Sequence, residues 1–316
     1  MSAISEQLKV KGFVMSSNLL SASTNSEIGG EVQEFLWQWE NQQIRVVYET
    51  LGTGSPILLL PAFSTVSMRS EMGEIGKILS SYYQAIAVDW PGFGQSSRLP
   101  VDYQPALYQQ FLQNFVTTIF KTPVAVVAAG HSAAYVLQLA NQIPTAFSRI
   151  VLVAPTWRGP LPTMGATSQI AGTVRAMVRS PILGQLLYKL NTAPSFLSLM
   201  YRRHVYVDKA KLTPSFIQYK WDNTQKPGAR FAPAAFVTGN LDAVNNQNDF
   251  LRLALNLSVP LMVVIGESSP SKSRAEMDAL AKLPGVQSTV LPGSLGMHEE
   301  YSSAVVEAIG DFLRSA

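Results

Sequence analysis

The amino-acid sequence predicts an α/β fold: a mostly parallel, eight-stranded sheet with a helical segment inserted after the sixth strand. Three observations carry this. Short apolar runs alternate with stretches of helical period, the pattern of a parallel sheet covered on both faces. The central runs are continuous rather than alternating, as strands buried on both faces must be. The rhythm breaks once, from about residue 155 to 259, and then resumes. The chain has 316 residues, of which 47 % are apolar and only 14 % charged, so it can bury one large core and is not a disordered chain.

The elements follow in order. Residues 1–33 are rich in Ser and Asn and lack an apolar centre, so they read as a flexible leader. Residues 34–39 and 44–49 alternate apolar and polar side chains across Asn41-Gln42-Gln43, which predicts a hairpin. Residues 56–60 form the first buried strand, followed by a helix over 68–80 and a second buried strand over 85–89. The Gly and Pro content of 90–96 marks a loop. A helix over 105–121, a strand over 124–129, a helix over 135–141 and a strand over 149–154 come next. After the break, strands at 260–265 and 287–291 flank a helix at 271–282, and a helix at 299–313 ends the chain. The expected division is a core of 34–155 and 256–316 with a cap of 156–255.

Composition excludes several functions. With no cysteine there is no disulfide, thiolate metal site or cysteine nucleophile. No apolar run reaches about eighteen residues, so no spanning helix is expected and a cytoplasmic location is. No P-loop, dinucleotide fingerprint or metal cluster occurs, so neither a cofactor nor a metal is expected. The loop Gly92-Phe93-Gly94 lacks the later glycine and helix start of a dinucleotide site.

The interrupted segment is distinctive. From 156 to 240 it carries eleven Lys and Arg against Asp208 and Asp222, while the rest of the chain is net acidic. It is also rich in aliphatic and aromatic residues. One reading is a lid whose peripheral contact is an anionic membrane surface or an acidic partner. The other is a solvated helical face with its apolar side packed on the core. Nucleic acid is not expected, because the basic residues are interleaved with aliphatics and no binding motif is present.

Chemistry is concentrated at Gly130-His131-Ser132-Ala133-Ala134. An apolar strand stops at a glycine, and a serine flanked by small residues opens a helix. This is the G-x-S-x-G nucleophile-elbow pattern with Ala134 replacing the last glycine. The alternative is an ordinary turn with a serine N-cap.

Four segments in order resemble the α/β-hydrolase superfamily, from about residue 35 to 312. Ile57-Leu58-Leu59-Leu60-Pro61-Ala62-Phe63 resembles its strand and oxyanion loop, usually L-L-L-H-G-F. Residues 88–96, Val-Asp-Trp-Pro-Gly-Phe-Gly-Gln-Ser, resemble its D-x-P-G-x-G-x-S loop. The elbow is third, and residues 259–267 and 290–293 resemble its last two strands. The resemblance implies a serine esterase, with Ser132 as nucleophile and His298, after the last strand, as base. His131 adjoins the serine but would point away from its hydroxyl, so it reads as pocket lining. Asp89 is expected to organise the loop that follows it.

The acid is less defined. The family's usual position after the seventh strand holds Ser269. Glu267 is the first choice, Asp242 and Asp249 are second choices, and a dyad steadied by Ser268 or Ser269 is a third arrangement. By position the oxyanion donors are the amides of Phe63 and Ala133, although Pro61-Ala62 replaces the usual His-Gly. Trp157 and Arg158 are expected to border the pocket. Residues 154–160, Ala-Pro-Thr-Trp-Arg-Gly-Pro, carry a short resemblance to a segment of pheophytinase and chlorophyll dephytylase-like hydrolases, which cleave a phytyl ester. The expected substrate is a hydrophobic small-molecule ester. The competing expectation is a weak or inactive member that binds a lipid or an acidic protein.

Overall fold

The computed structural model describes residues 25–315. One eight-stranded sheet runs through it in the order β1-β2-β4-β3-β5-β6-β7-β8. The strands are β1 (Glu31–Trp39), β2 (Gln42–Leu51), β3 (Ser55–Leu60), β4 (Tyr83–Val88), β5 (Val124–Ala129), β6 (Phe147–Val153), β7 (Leu261–Gly266) and β8 (Val286–Leu291). β2 lies antiparallel to β1 and β4, and every pairing from β4 through β8 is parallel. The parallel strands β3, β5, β6 and β7 are almost wholly buried, as their continuous aliphatic runs require. The edge strands β1 and β8 carry more polar, exposed residues, which keeps them from pairing with other chains.

The helices of the core are α1 (Gly73–Leu79), α2 (Pro105–Ile119), α3 (Ser132–Gln142), α11 (Ser271–Ala281), α12 (Met297–Glu300) and α13 (Ser302–Arg314). Between β6 and β7 every element is helical: α4 (Pro160–Thr163), α5 (Ser168–Arg179), α6 (Leu183–Asn191), α7 (Pro194–Met200), a π turn (Tyr201–Val205), α8 (Pro214–Thr224), α9 (Phe231–Val237) and α10 (Gln247–Leu255). No helix among the described residues is long and apolar enough to cross a membrane.

Three local readings differ from the sequence pattern. The helix expected over 68–80 starts with a 3₁₀ turn at Arg69–Met72 before α1. The last helix is broken at Tyr301, so His298 sits on the short α12. Of the expected leader, residues 1–24 lie outside the described residues, while residues 26–30 are tied to the core. There the amides of Glu27, Ile28 and Gly30 and the Ser26 hydroxyl all donate to the buried Glu49 carboxylate.

That carboxylate also accepts from Arg69 Nε at 3.0 Å, and the Arg69 guanidinium reaches Asp89 as well. Asp89 in turn accepts the amides of Arg69 and Gln95 at 2.6 and 2.7 Å, so it organises the loop after β4. Breaking such a buried, fully hydrogen-bonded triad is costly because each remaining charge would be left in a poorly solvating interior.

Candidate active site

The residues expected at the site follow the carboxyl ends of parallel strands: Phe63 after β3, Ser132 after β5, Trp157 and Arg158 after β6, Glu267 after β7 and His298 after β8. Strand β5 ends at Ala129. The sharp turn falls at Gly130, with φ +52, and His131 already has helical angles. Ser132 is the first residue of α3, and its φ is not positive. The left-handed corner, where an elbow exposes its nucleophile, is therefore occupied by a residue without a side chain. Glycine adopts that backbone without the steric cost an L side chain would meet.

The space beside the corner is also filled. A Cβ placed on Gly130 would lie 2.9 Å from the Ala62 methyl carbon, closer than real Cβ contacts come. Gly130 is held by its neighbours: its N–H donates to Val153 O at 2.9 Å, and its carbonyl accepts from Thr156 and Ala133 at 3.1 and 3.2 Å. The Ala133 amide, expected in the oxyanion hole, thus serves the first turn of α3. The Phe63 amide makes no hydrogen bond among the described residues, and neither does that of His131, the residue after the corner.

Ser132 is fully buried. Its hydroxyl donates to the Pro61 carbonyl at 2.6 Å, an oxygen that also accepts the Trp90 indole N–H at 3.0 Å. His298 is buried on α12, and neither ring nitrogen has a hydrogen-bond partner. Ser132 and His298 are thus not hydrogen-bonded to each other. The acid beside His298 is Glu71, from the 3₁₀ turn after β3, with Oε2 3.6 Å from Nε2.

Glu71 belongs to a second ion cluster. Lys220 from α8 is completely buried, with Nζ 3.4 Å from Glu71 Oε1 and 2.8 Å from Glu299 Oε1. Burial opposes the Lys220 charge, but Glu299, Tyr201 and Glu71 outweigh it and hold its pKa well above the ordinary lysine range. Sequence inspection missed Glu71 and Lys220. Neither stands in a motif, and they meet only because α8 folds back across the 3₁₀ turn.

The carboxylates considered for the triad lie elsewhere. Glu267 is exposed, and its carboxylate makes no hydrogen bond or ion pair among the described residues. Ser268 is exposed, and the buried Ser269 hydroxyl has no partner. Asp249 accepts through its Oδ2 from Asn246 at the start of α10 and lies 3.7 Å from Arg252.

Asp242 faces His131 instead of His298, with Oδ1 3.4 Å from His131 Nε2, which itself donates to Leu241 O at 2.9 Å. Burial lowers the His131 pKa to about 4 despite that carbonyl. Burial also raises the Asp242 pKa to about 7, against the Gly159 amide that donates to it. His131 also meets Phe236 edge to face, so it joins α3 to the helical layer. Trp157 is buried at the start of that layer, with the Arg158 guanidinium 4.3 Å above its ring.

Comparison with known proteins agrees with this frame. The profile of the family described as "Alpha/beta hydrolase family" matches residues 57–308. An esterase from Thermogutta terrifontis is 18% identical with a TM-score of 0.69, over 90% of this chain and 98% of that one. A bromoperoxidase from Bacillus anthracis is 17% identical at 0.68, over 90% and 100%. An enol-lactonase from Burkholderia xenovorans is 15% identical at 0.64, over 86% and 97%. At these identities the likeness establishes the fold, and the family profile spans most of the chain. With its strand order, its loop after β4 and its turn from β5 into α3, this chain belongs to the alpha/beta hydrolase family of enzymes.

Proposed function

We propose that this member of the family binds a hydrophobic carboxylic ester or lipid at the carboxyl edge of its sheet and turns it over slowly or not at all. The observation that carries this reading is the corner itself. Gly130 takes the left-handed position, and the first carbon of any side chain there would stand 2.9 Å from the Ala62 methyl carbon. A serine hydroxyl needs a base within hydrogen-bond reach to attack an ester. Here the Ser132 hydroxyl is buried against a carbonyl, which can only accept its proton in a hydrogen bond and cannot remove it. The apolar helical layer after β6 supports a hydrophobic ligand.

A second reading, ester cleavage through a Ser132 acyl-enzyme with His298 as base, is favoured by one observation. Both ring nitrogens of the buried His298 lack hydrogen-bond partners, and Glu71 Oε2 stands 3.6 Å from Nε2, which sets an imidazole beside a carboxylate. That reading requires Ser132 to leave Pro61 and reach the imidazole.

One experiment separates them. The wild-type protein and Ser132→Ala are incubated with a fluorophosphonate probe and with p-nitrophenyl esters of several chain lengths. In parallel, a fluorescent long-chain ester is titrated for binding. Saturable binding without labelling or turnover is the expected result. Labelling of the wild type that disappears in Ser132→Ala overturns it and establishes the second reading.

A further inference from the structure

No aspartate or glutamate occurs between Asp102 and Asp208, although that stretch includes Arg175, Arg179, Lys189, Arg202 and Arg203. The same stretch turns large apolar side chains outward on three successive helices. On α6, Gly184 and Tyr188 are buried, while Leu186 and Leu190 are exposed together with Ile182 just ahead of it. Ile182 is 87% exposed, and the spacing of four puts these three on one face. α5 buries Ala171 and Val178 and exposes Ile170 and Met177. α7 buries Leu197 and exposes Phe196 and Leu199. α5 packs on α6 and α6 on α7, so these faces belong to one layer.

Single exposed aliphatics are ordinary on soluble proteins, but a run of them on adjacent helices marks an interaction surface. A solvated helical face would carry charges of both signs in i,i+4 pairs. Here Arg175, Lys189, Arg202 and Arg203 have no ion-pair partner among the described residues. The excess of one sign also disfavours a second copy of the same face, because the like charges would meet.

We propose that α5, α6, α7 and the π turn after them dock this protein on an anionic lipid surface. The aliphatic side chains enter the boundary between headgroups and acyl chains, and the arginines and lysines lie against lipid phosphates. Docking needs no turnover, so it stands apart from the chemistry at Ser132.

The test is flotation of the full-length protein with phosphatidylcholine vesicles and with vesicles that also contain phosphatidylserine, across a salt series. The wild type is expected to float with the anionic vesicles at low salt and to lose most of that binding at high salt. Leu186→Ser with Leu190→Ser, and separately Lys189→Glu with Arg203→Glu, are expected to weaken binding at least about tenfold with unchanged thermal unfolding. All four positions are exposed, so the variants should fold. Ser132→Ala is expected to float like the wild type. Three results would each overturn the proposal: no flotation, equal flotation with neutral vesicles, or surface variants that bind as well as the wild type. Self-association that the apolar variants abolish, without vesicle binding, would assign the face to a protein contact and overturn it too.

Discussion

The methyl group of Ala62 and the α-carbon of Gly130 close the corner between β5 and α3 against each other: a Cβ on Gly130 would stand 2.9 Å from Ala62 Cβ. Two small residues, from the loop after β3 and the turn after β5, thus leave no room for a side chain at the left-handed corner. Gly130 cannot gain a side chain without Ala62 giving way.

This pair predicts how a nucleophile could be installed. Gly130→Ser alone should cost about 1–2 kcal/mol from the left-handed backbone, and more from the contact with Ala62. Adding Ala62→Gly should recover the contact part. The double variant is expected to gain fluorophosphonate labelling that the wild type lacks, with His298 as its base. Urea unfolding measures the first effect and mass spectrometry of the labelled protein the second. A stable, unlabelled double variant would show that the remaining groups are not arranged for catalysis.

Removing the Ser132 hydroxyl should be mild. Ser132→Ala loses one buried hydrogen bond, worth about 0.5–1.5 kcal/mol. The Pro61 carbonyl keeps its bond from Trp90, so no acceptor is orphaned. A loss well above that range would show that the serine also holds the turn.

Lys220→Met should be severe. It leaves Glu71 and the largely buried Glu299 without their cation, which for a buried pair costs about 3–5 kcal/mol. Adding Glu71→Gln and Glu299→Gln should restore much of the loss, because the uncompensated charges go with them. Chemical denaturation of the three proteins decides it. A triple variant no more stable than the single one would mean that the lysine contributes by packing and not by charge.

The pair His131 and Asp242 predicts an unusual pH response. His131 has its pKa lowered to about 4, so its contribution is present above the ordinary histidine value and is lost as pH falls from about 6.5 to 4. Asp242 has its pKa raised to about 7, so the folded protein holds a proton that the unfolded chain releases near pH 4. Its contribution is present below that pH and is lost as pH rises towards 7. The two slopes oppose each other in the wild type. Asp242→Asn should leave stability rising from pH 4 to 6.5, and His131→Phe should leave it falling from pH 4 to 7. Urea midpoints at several pH values read both slopes, and parallel profiles for the two variants would refute the assignment.

The carboxyl-edge chemistry was only partly legible in the sequence. The buried strands announced themselves through aliphatic runs, and the Asp89 loop through its glycines and proline. His298 follows β8 in the structure as its place in the sequence implied, and Pro61-Ala62 was visible as a departure from the oxyanion loop. The acid was not legible: Glu267 follows β7 but faces solvent, and Glu71 approaches His298 from a turn more than two hundred positions earlier.

What the sequence alone determined is the set of elements and their order, because propensity and periodicity are local properties written in each segment. It also ended β5 at the glycine, where the structure ends it. It did not determine that the left-handed backbone falls on Gly130 itself, the one residue there able to take it cheaply, two positions ahead of Ser132. Only the packed structure decided that Ala62 fills the corner, that Pro61 takes the serine's hydrogen bond, and that Lys220 joins α8 to Glu71. Each of these depends on residues far apart in the chain, brought into contact by sheet register and helix packing.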